Sequence, residues 1–218
     1  MTILSSVTGR VQPGRYEQFL SEALEAKKLY ERLGAKEVTL GAAMSAGEGS
    51  GTWAFSAEFD NAEAYGEFTD ESSNDGEFQT FLMRLRSPDT SSTIEQMSLA
   101  VEVDLGRKMK PKRGNVLEIH TSRVTPGRLE QALATAKSAC SFVERHGGRR
   151  ARLWQLSHAG SGSGLMMISW EFENNRAMGK AMDAWSTEAR GQAISAQLYS
   201  ADAPTTIVYS ATYAVIPI

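Results

Sequence analysis

Apolar side chains alternate with small or polar ones along Ile3–Val11, Lys36–Ser45, Thr52–Phe59 and Thr93–Val103, the period of two expected of strands with one buried face. Between the first two segments, Arg15–Leu33 carries apolar residues at helical spacing. Pro13-Gly14 precedes it and Gly34 follows as a C-terminal cap. Asp60-Asn61 caps a second helical region that continues in pieces to about Arg86. The same succession then returns: strand Val116–Val124, helix Arg128–His146 closed by Gly147, strands Arg149–His158 and Leu165–Phe172, a helical region from Glu173-Asn174 to Tyr199, and strand Thr206–Ile216.

The return is a duplication. A shift of 113 residues aligns 1–105 with 114–218 without a gap and gives 35 identities, where unrelated sequence gives roughly 6. Arg10-Val11-Gln12-Pro13-Gly14-Arg15 reappears as Arg123-Val124-Thr125-Pro126-Gly127-Arg128, and the loop Ala46–Gly51 as Ala159–Gly164. The chain therefore divides into a first repeat (1–105), a basic linker (106–114) and a second repeat (115–218). Each repeat reads β-α-β-β-α-β. That order predicts an α+β class, with two tandem ferredoxin-like domains whose four-stranded antiparallel sheets carry both helices on one face. The bare faces can be buried by packing the two sheets face to face, as an intramolecular pseudo-dimer forming an α/β barrel. Further homo-oligomerisation is left open.

Composition narrows the setting. The chain has 218 residues, 41% apolar and 22% charged, with a net charge of −3. That balance argues against a nucleic-acid partner. No apolar run reaches the roughly 20 residues of a membrane span, and MTILSSVTGR lacks a signal-peptide core. The one cysteine, Cys140, excludes an internal disulfide framework and a Cys-rich zinc site, and a reducing cytoplasm is the default location. Residues 1–105 carry 8 basic and 18 acidic side chains, whereas 106–218 carry 15 and 8. Opposite signs favour pairing of the halves; drift after duplication gives the same pattern. The five basic residues of the linker read as solvated.

Alternation assigns faces. Leu40, Ala42, Met44, Trp53, Phe55, Ala57 and Phe59 share one face, expected beneath the helices. Thr39, Gly41, Ala43, Ala54 and Ser56 share the other, facing Arg152, Trp154, Leu156, Met167 and Ser169 of the second repeat. Large side chains opposite small ones predict a filled lumen with Trp154 in it. On the helix side, Val7, Ala42, Ala57, Met97 and Leu99 of repeat one become His120, Gln155, Trp170, Ser210 and Thr212 in repeat two. Polar groups inside a small domain require partners, and several on one face point to a ligand cavity under the second sheet. His120 is the candidate acid/base, because the imidazole side chain suits proton transfer near neutral pH. Trp170, Gln155, Ser210 and Thr212 are the candidate substrate contacts; His120 as a satisfied strand histidine is the plainer alternative.

Other chemistry-bearing residues have structural readings. The Gly-Ser loops lack a following helix, so they read as hairpin loops rather than phosphate cradles. His146 caps a helix, Cys140 and Trp185 read as packing or pocket wall, and His158 lies at a loop edge. Arg10 and Arg123 are expected in ion pairs, with Glu58 and Glu171 as partners.

The Val-x-Pro-Gly-Arg helix start and Trp170-Glu171-Phe172 followed by Ala177 resemble the dimeric α/β-barrel superfamily, in particular antibiotic-biosynthesis-monooxygenase-type domains. The Pro-Gly-Arg segment is also similar to NIPSNAP-like members. The superfamily includes cofactor-free monooxygenases, haem-degrading oxygenases, isomerases and cyclases. The resemblance implies oxidation of an aromatic or polyketide-like small molecule without cofactor or metal, with His120 as acid/base. A non-catalytic protein binding a small molecule or haem is the alternative. Haem-degrading members place a histidine about ten residues beyond the strand-three tryptophan, where this chain has Lys180 and, in repeat one, Glu67.

Overall fold

A computed structural model describes all 218 residues. Its N-terminal half runs β1 (Ile3–Val11), α1 (Tyr16–Arg32), β2 (Glu37–Ser45), β3 (Thr52–Phe59), α2 (Ala62–Asn74), α3 (Gly76–Leu85) and β4 (Ser92–Val103). The C-terminal half repeats the order as β5 (Val116–Val124), α4 (Leu129–Arg145), β6 (Arg149–His158), β7 (Met166–Phe172), α5 (Asn175–Thr187), α6 (Ala189–Leu198) and β8 (Thr205–Ile216). The local signals act as expected. Asn61 and Asn174 accept hydrogen bonds from Ala64 N and Ala177 N, each 2.9 Å, at the starts of α2 and α5. Gly34 and Gly147 take φ of 100° and 97° just past α1 and α4, a conformation that a Cβ disfavours.

The eight strands close into one antiparallel barrel in the order β1-β3-β2-β8-β5-β7-β6-β4. The halves thus share main-chain hydrogen bonds at two seams, β2 with β8 and β4 with β6. The helices coat the outside in two layers, and none is long and apolar enough to cross a membrane. Leu40, Trp53, Phe55, Ala57 and Phe59 lie in the helix-covered core of the N-terminal half. Met44 and Met97, expected there, are 43% and 64% exposed, because the strands run on past the helices that cover them.

The lumen departs from expectation. Small residues of the first half do face large ones of the second, and Trp154 is buried, donating from Nε1 to Ser169 Oγ at 3.0 Å. Yet a cavity of about 370 Å³ remains, because Ser6, Thr39, Ser56 and Ser98 on one wall are too short to meet Leu117, Leu156 and Tyr213 on the other.

One end of the lumen is closed by charge. Arg150 donates from Nη1 to both carboxylate oxygens of Glu37, at 2.9 and 2.8 Å, and from Nη2 to Glu58 at 3.0 Å. Arg152 reaches Glu58 at 2.7 and 2.8 Å and Glu102 at 2.7 and 2.8 Å. Arg113 joins Glu37 to Glu171. The linker is solvated at Lys108, Lys110 and Lys112 but not at its two arginines. Arg113 sits in this network, and Arg107 pairs with the buried Glu144 at 2.7 Å. Nor do Glu58 and Glu171 partner Arg10 and Arg123: Arg10 pairs with Glu95 at 2.8 Å, and the glutamates face the lumen arginines. The reason is distance along the strand rather than face: Glu58 stands opposite Leu4, whereas Arg10 stands opposite Thr52 at the other end of the pair.

Burial raises the cost of ionising Glu37 and Glu102. The arginine hydrogen bonds outweigh it and hold both carboxyls below the ordinary glutamate range, while burial's opposite pull on Arg152 is overcome by Glu102 and Glu58. Two outcomes follow. Arg152→Ala leaves Glu102 without its arginine and Glu58 with Arg150 alone, and lowers unfolding free energy by about 3 kcal/mol in urea titration. A glutamate whose folded pKa is depressed stabilises above its unfolded value and loses that contribution as pH falls through the folded one. Melting temperature should therefore hold down to about pH 5 and drop below about pH 4, with a shallower drop in the Glu37→Gln/Glu102→Gln double variant.

Candidate active site

The helix-covered interiors of the two halves differ. In the N-terminal half aromatic rings fill the space: Tyr30 lies 4.8 Å from Phe68, 5.2 Å from Phe55 and 5.6 Å from Phe78, and Phe19 lies 5.2 Å from Trp53, centre to centre. Burial there pushes the Tyr30 hydroxyl up to about 12. At the positions of Phe19, Tyr30 and Phe68, the C-terminal half has Ala132, Val143 and Ala181. All three line a cavity of about 340 Å³ between the sheet and α4, α5 and α6, with sixteen of its twenty-one lining residues apolar. Removed rings leave room that neighbours refill only in part.

The polar groups cluster at one wall. His120 and Glu118 lie two apart on β5 and so share a face. His120 Nε2 meets Glu118 Oε1 at 3.2 Å, and its Nδ1 meets Ser210 Oγ at 2.8 Å. Trp170, on β7, donates from Nε1 to Glu118 Oε2 at 2.7 Å, with its ring 5.3 Å from the imidazole. Burial disfavours ionised Glu118, but the bonds from His120 and Trp170 win and hold its carboxyl below the ordinary range. A carboxylate that accepts only fixes the proton of neutral His120 on Nε2. The lone pair on Nδ1 is then free to accept, from Ser210 in this structure.

His120 and Trp170 line the cavity; Gln155, Ser210 and Thr212 do not. Ser210 is exposed at the rim, tied to the imidazole, while Gln155 is exposed where β6 runs beyond the helical layer. Thr212 lies beside Glu118 in register but off the cavity wall. Glu118 was not evident from the sequence comparison because its counterpart, Ser5, is already polar; its signal is the two-residue spacing from His120. Trp185 forms cavity wall, with Nε1 donating to Ser195 Oγ at 2.7 Å. Gly191 is needed beside it, since an added Cβ would lie 2.3 Å from Trp185 O.

Elsewhere, His146 caps α4 and pairs with Glu188 at 2.8 Å, and burial pushes the Cys140 thiol up to about 11, an inert state. At the helix position where the resemblance would place a haem-ligating histidine stands Lys180, exposed on α5 and off the cavity wall, so a helix-ligated haem does not fit.

No protein-family model matches the chain, and no curated protein matches it. Solved structures do. An anthrone oxidase-like protein superposes with a TM-score of 0.64 at 12% identity, covering 99% of this chain and 91% of its own. A protein from Fusobacterium nucleatum that carries the name monooxygenase gives 0.60 at 12% identity, covering 99% and 93%. A chlorite dismutase variant from Candidatus Nitrospira defluvii gives 0.58 at 9% identity, covering 99% and 92%. With its two ferredoxin-like halves closed into one eight-stranded barrel, the chain has the fold of the dimeric α/β-barrel superfamily.

Proposed function

We propose that the C-terminal cavity binds a flat, largely apolar aromatic compound of the anthrone type, with an acidic ring methylene, and that His120 removes its proton for oxidation by O₂. The observation that supports this most is the pairing of a largely apolar cavity with an imidazole oriented by the Glu118 carboxylate on its wall. The names of the anthrone oxidase-like and monooxygenase neighbours agree with it. The N-terminal half acts as the structural partner.

In this reading the acidic methylene C–H of the substrate takes the place of Ser210 at His120 Nδ1. Glu118 stabilises the imidazolium that forms, and Trp170 stacks on the substrate ring. The resulting anion is electron-rich and passes an electron to O₂. Recombination gives a hydroperoxide, and its collapse turns the methylene into a carbonyl and releases water, with His120 returning the proton. The balance is R₂CH₂ plus O₂ to R₂CO plus H₂O, so the substrate itself supplies the electrons. Separating charge in an apolar cavity is costly, and the Glu118 carboxylate beside the imidazolium offsets that cost.

With anthrone in an oxygen electrode, His120→Ala should lower kcat by roughly 10²–10⁴-fold. Glu118→Gln should lower kcat while leaving KM nearly unchanged, and Glu118→Asp should recover part of the loss. Oxygen uptake that is absent, or indifferent to His120→Ala, overturns the reading; binding without uptake leaves a carrier. Ala181→Phe restores the ring that Phe68 supplies in the other half. It should abolish turnover while keeping or raising the melting temperature, as cavity filling commonly adds about 0.5–2 kcal/mol.

A further inference from the structure

The barrel lumen has its own chemistry, separate from the helix-covered cavity. One wall, from the N-terminal half, presents the hydroxyls of Ser6, Thr8, Thr39, Ser56 and Ser98; the facing wall presents Leu117, Ile119, Leu156, Met167 and Tyr213. Ser6 and Ser56 bond each other at 2.9 Å, yet both stay half-buried although they point inward, so solvent reaches the space between the walls. At about 370 Å³ it lies in the range that holds small-molecule ligands.

Charge decides what fits. Arg113, Arg150 and Arg152 are all paired with lumen glutamates, and Glu95 at the other end pairs with Arg10. A charged guest would shed its hydration and meet no free counter-ion. The end opposite the arginines lies under the duplicated Gly-Ser loops. Gly49 lines the lumen there, packed so closely that an added Cβ would lie 2.7 Å from the Tyr209 hydroxyl, and Ala46 is buried against Ala211 and Tyr213. The Gln96 side chain donates to Ala159 O of the second loop at 3.4 Å. Both repeated loops therefore border one mouth, and Gly49 lets the first sit close over it.

We infer that the lumen is a second ligand site, selective for a neutral polyhydroxylated ring with an apolar flank, of aryl-glycoside size. Its hydroxyl edge faces the serine and threonine wall, and its apolar flank faces the leucine and tyrosine wall.

The test is calorimetric titration of the intact protein with phenyl β-D-glucopyranoside and with phenyl β-D-glucuronide, which differs by a carboxylate. Saturable one-to-one binding of the glucoside is expected, at least 10-fold tighter than the glucuronide. Ser56→Leu, which fills the lumen, should weaken it at least 10-fold, and Ser98→Leu serves if that variant does not fold. Ala181→Phe blocks the helix-covered cavity and should leave the affinity unchanged, so the outcome is independent of the oxidation reading. No saturable glucoside binding up to roughly 10 mM, equal affinity for the glucuronide, or binding that survives both leucine variants overturns the inference.

Discussion

Charge reversal at equivalent positions is the constraint on which the pairing of the halves rests. Glu37 and Arg150 occupy the same place in the two repeats, and across the lumen they bind each other. In two identical subunits that place would hold like charges face to face; only a duplicated chain can carry a carboxylate on one copy and a guanidinium on the other. Thr39 and Arg152 diverged in the same direction, whereas Glu58 and Glu171 stayed alike and serve as acceptors on both sides. Arg150 holds φ at 45°, uncommon for a residue with a Cβ, and its three carboxylate partners keep it there. The network works less as a source of net stability than as a key that admits one orientation of the halves.

With pairing secured at the barrel, the two outer layers were free to diverge. One kept a packed aromatic interior. The other has small side chains in place of rings at three helix positions and carries an imidazole, a carboxylate and an indole on its strands. Stability and cavity are thus divided between halves that a single chain holds together. A domain with only one such layer would have to carry both demands at once.

The architecture was legible in the sequence because it depends on signals that survive any choice of side-chain partner: period-two and helical spacing, Asn and Gly caps, and the repeat itself. His120 and Trp170 were legible for a related reason, since alternation fixes the face of a strand residue and comparison of the repeats shows where apolar became polar. What escaped depended on distance in three dimensions. Glu118 replaces a serine and so raised no contrast, and Ala132, Val143 and Ala181 lie on helices whose rotation toward the sheet the pattern does not fix. Gln155 and Met97 were misplaced because strand length relative to the helical cover is not written in alternation. The lumen was expected to be full because large met small, but short hydroxyl side chains leave a gap that pairwise reasoning does not sum.

Joining the sheets at both seams has a consequence for self-association. Every strand has a hydrogen-bonded neighbour on each side, so the molecule offers no open β-edge on which another chain could build a ladder. Ferredoxin-like units with free edges must hide or charge them; this one consumes them internally. Any larger assembly would have to form through side chains on the helices or the barrel ends, and a truncation that removed β8 would unmask β2 and β5 together, turning a non-templating surface into two adhesive ones.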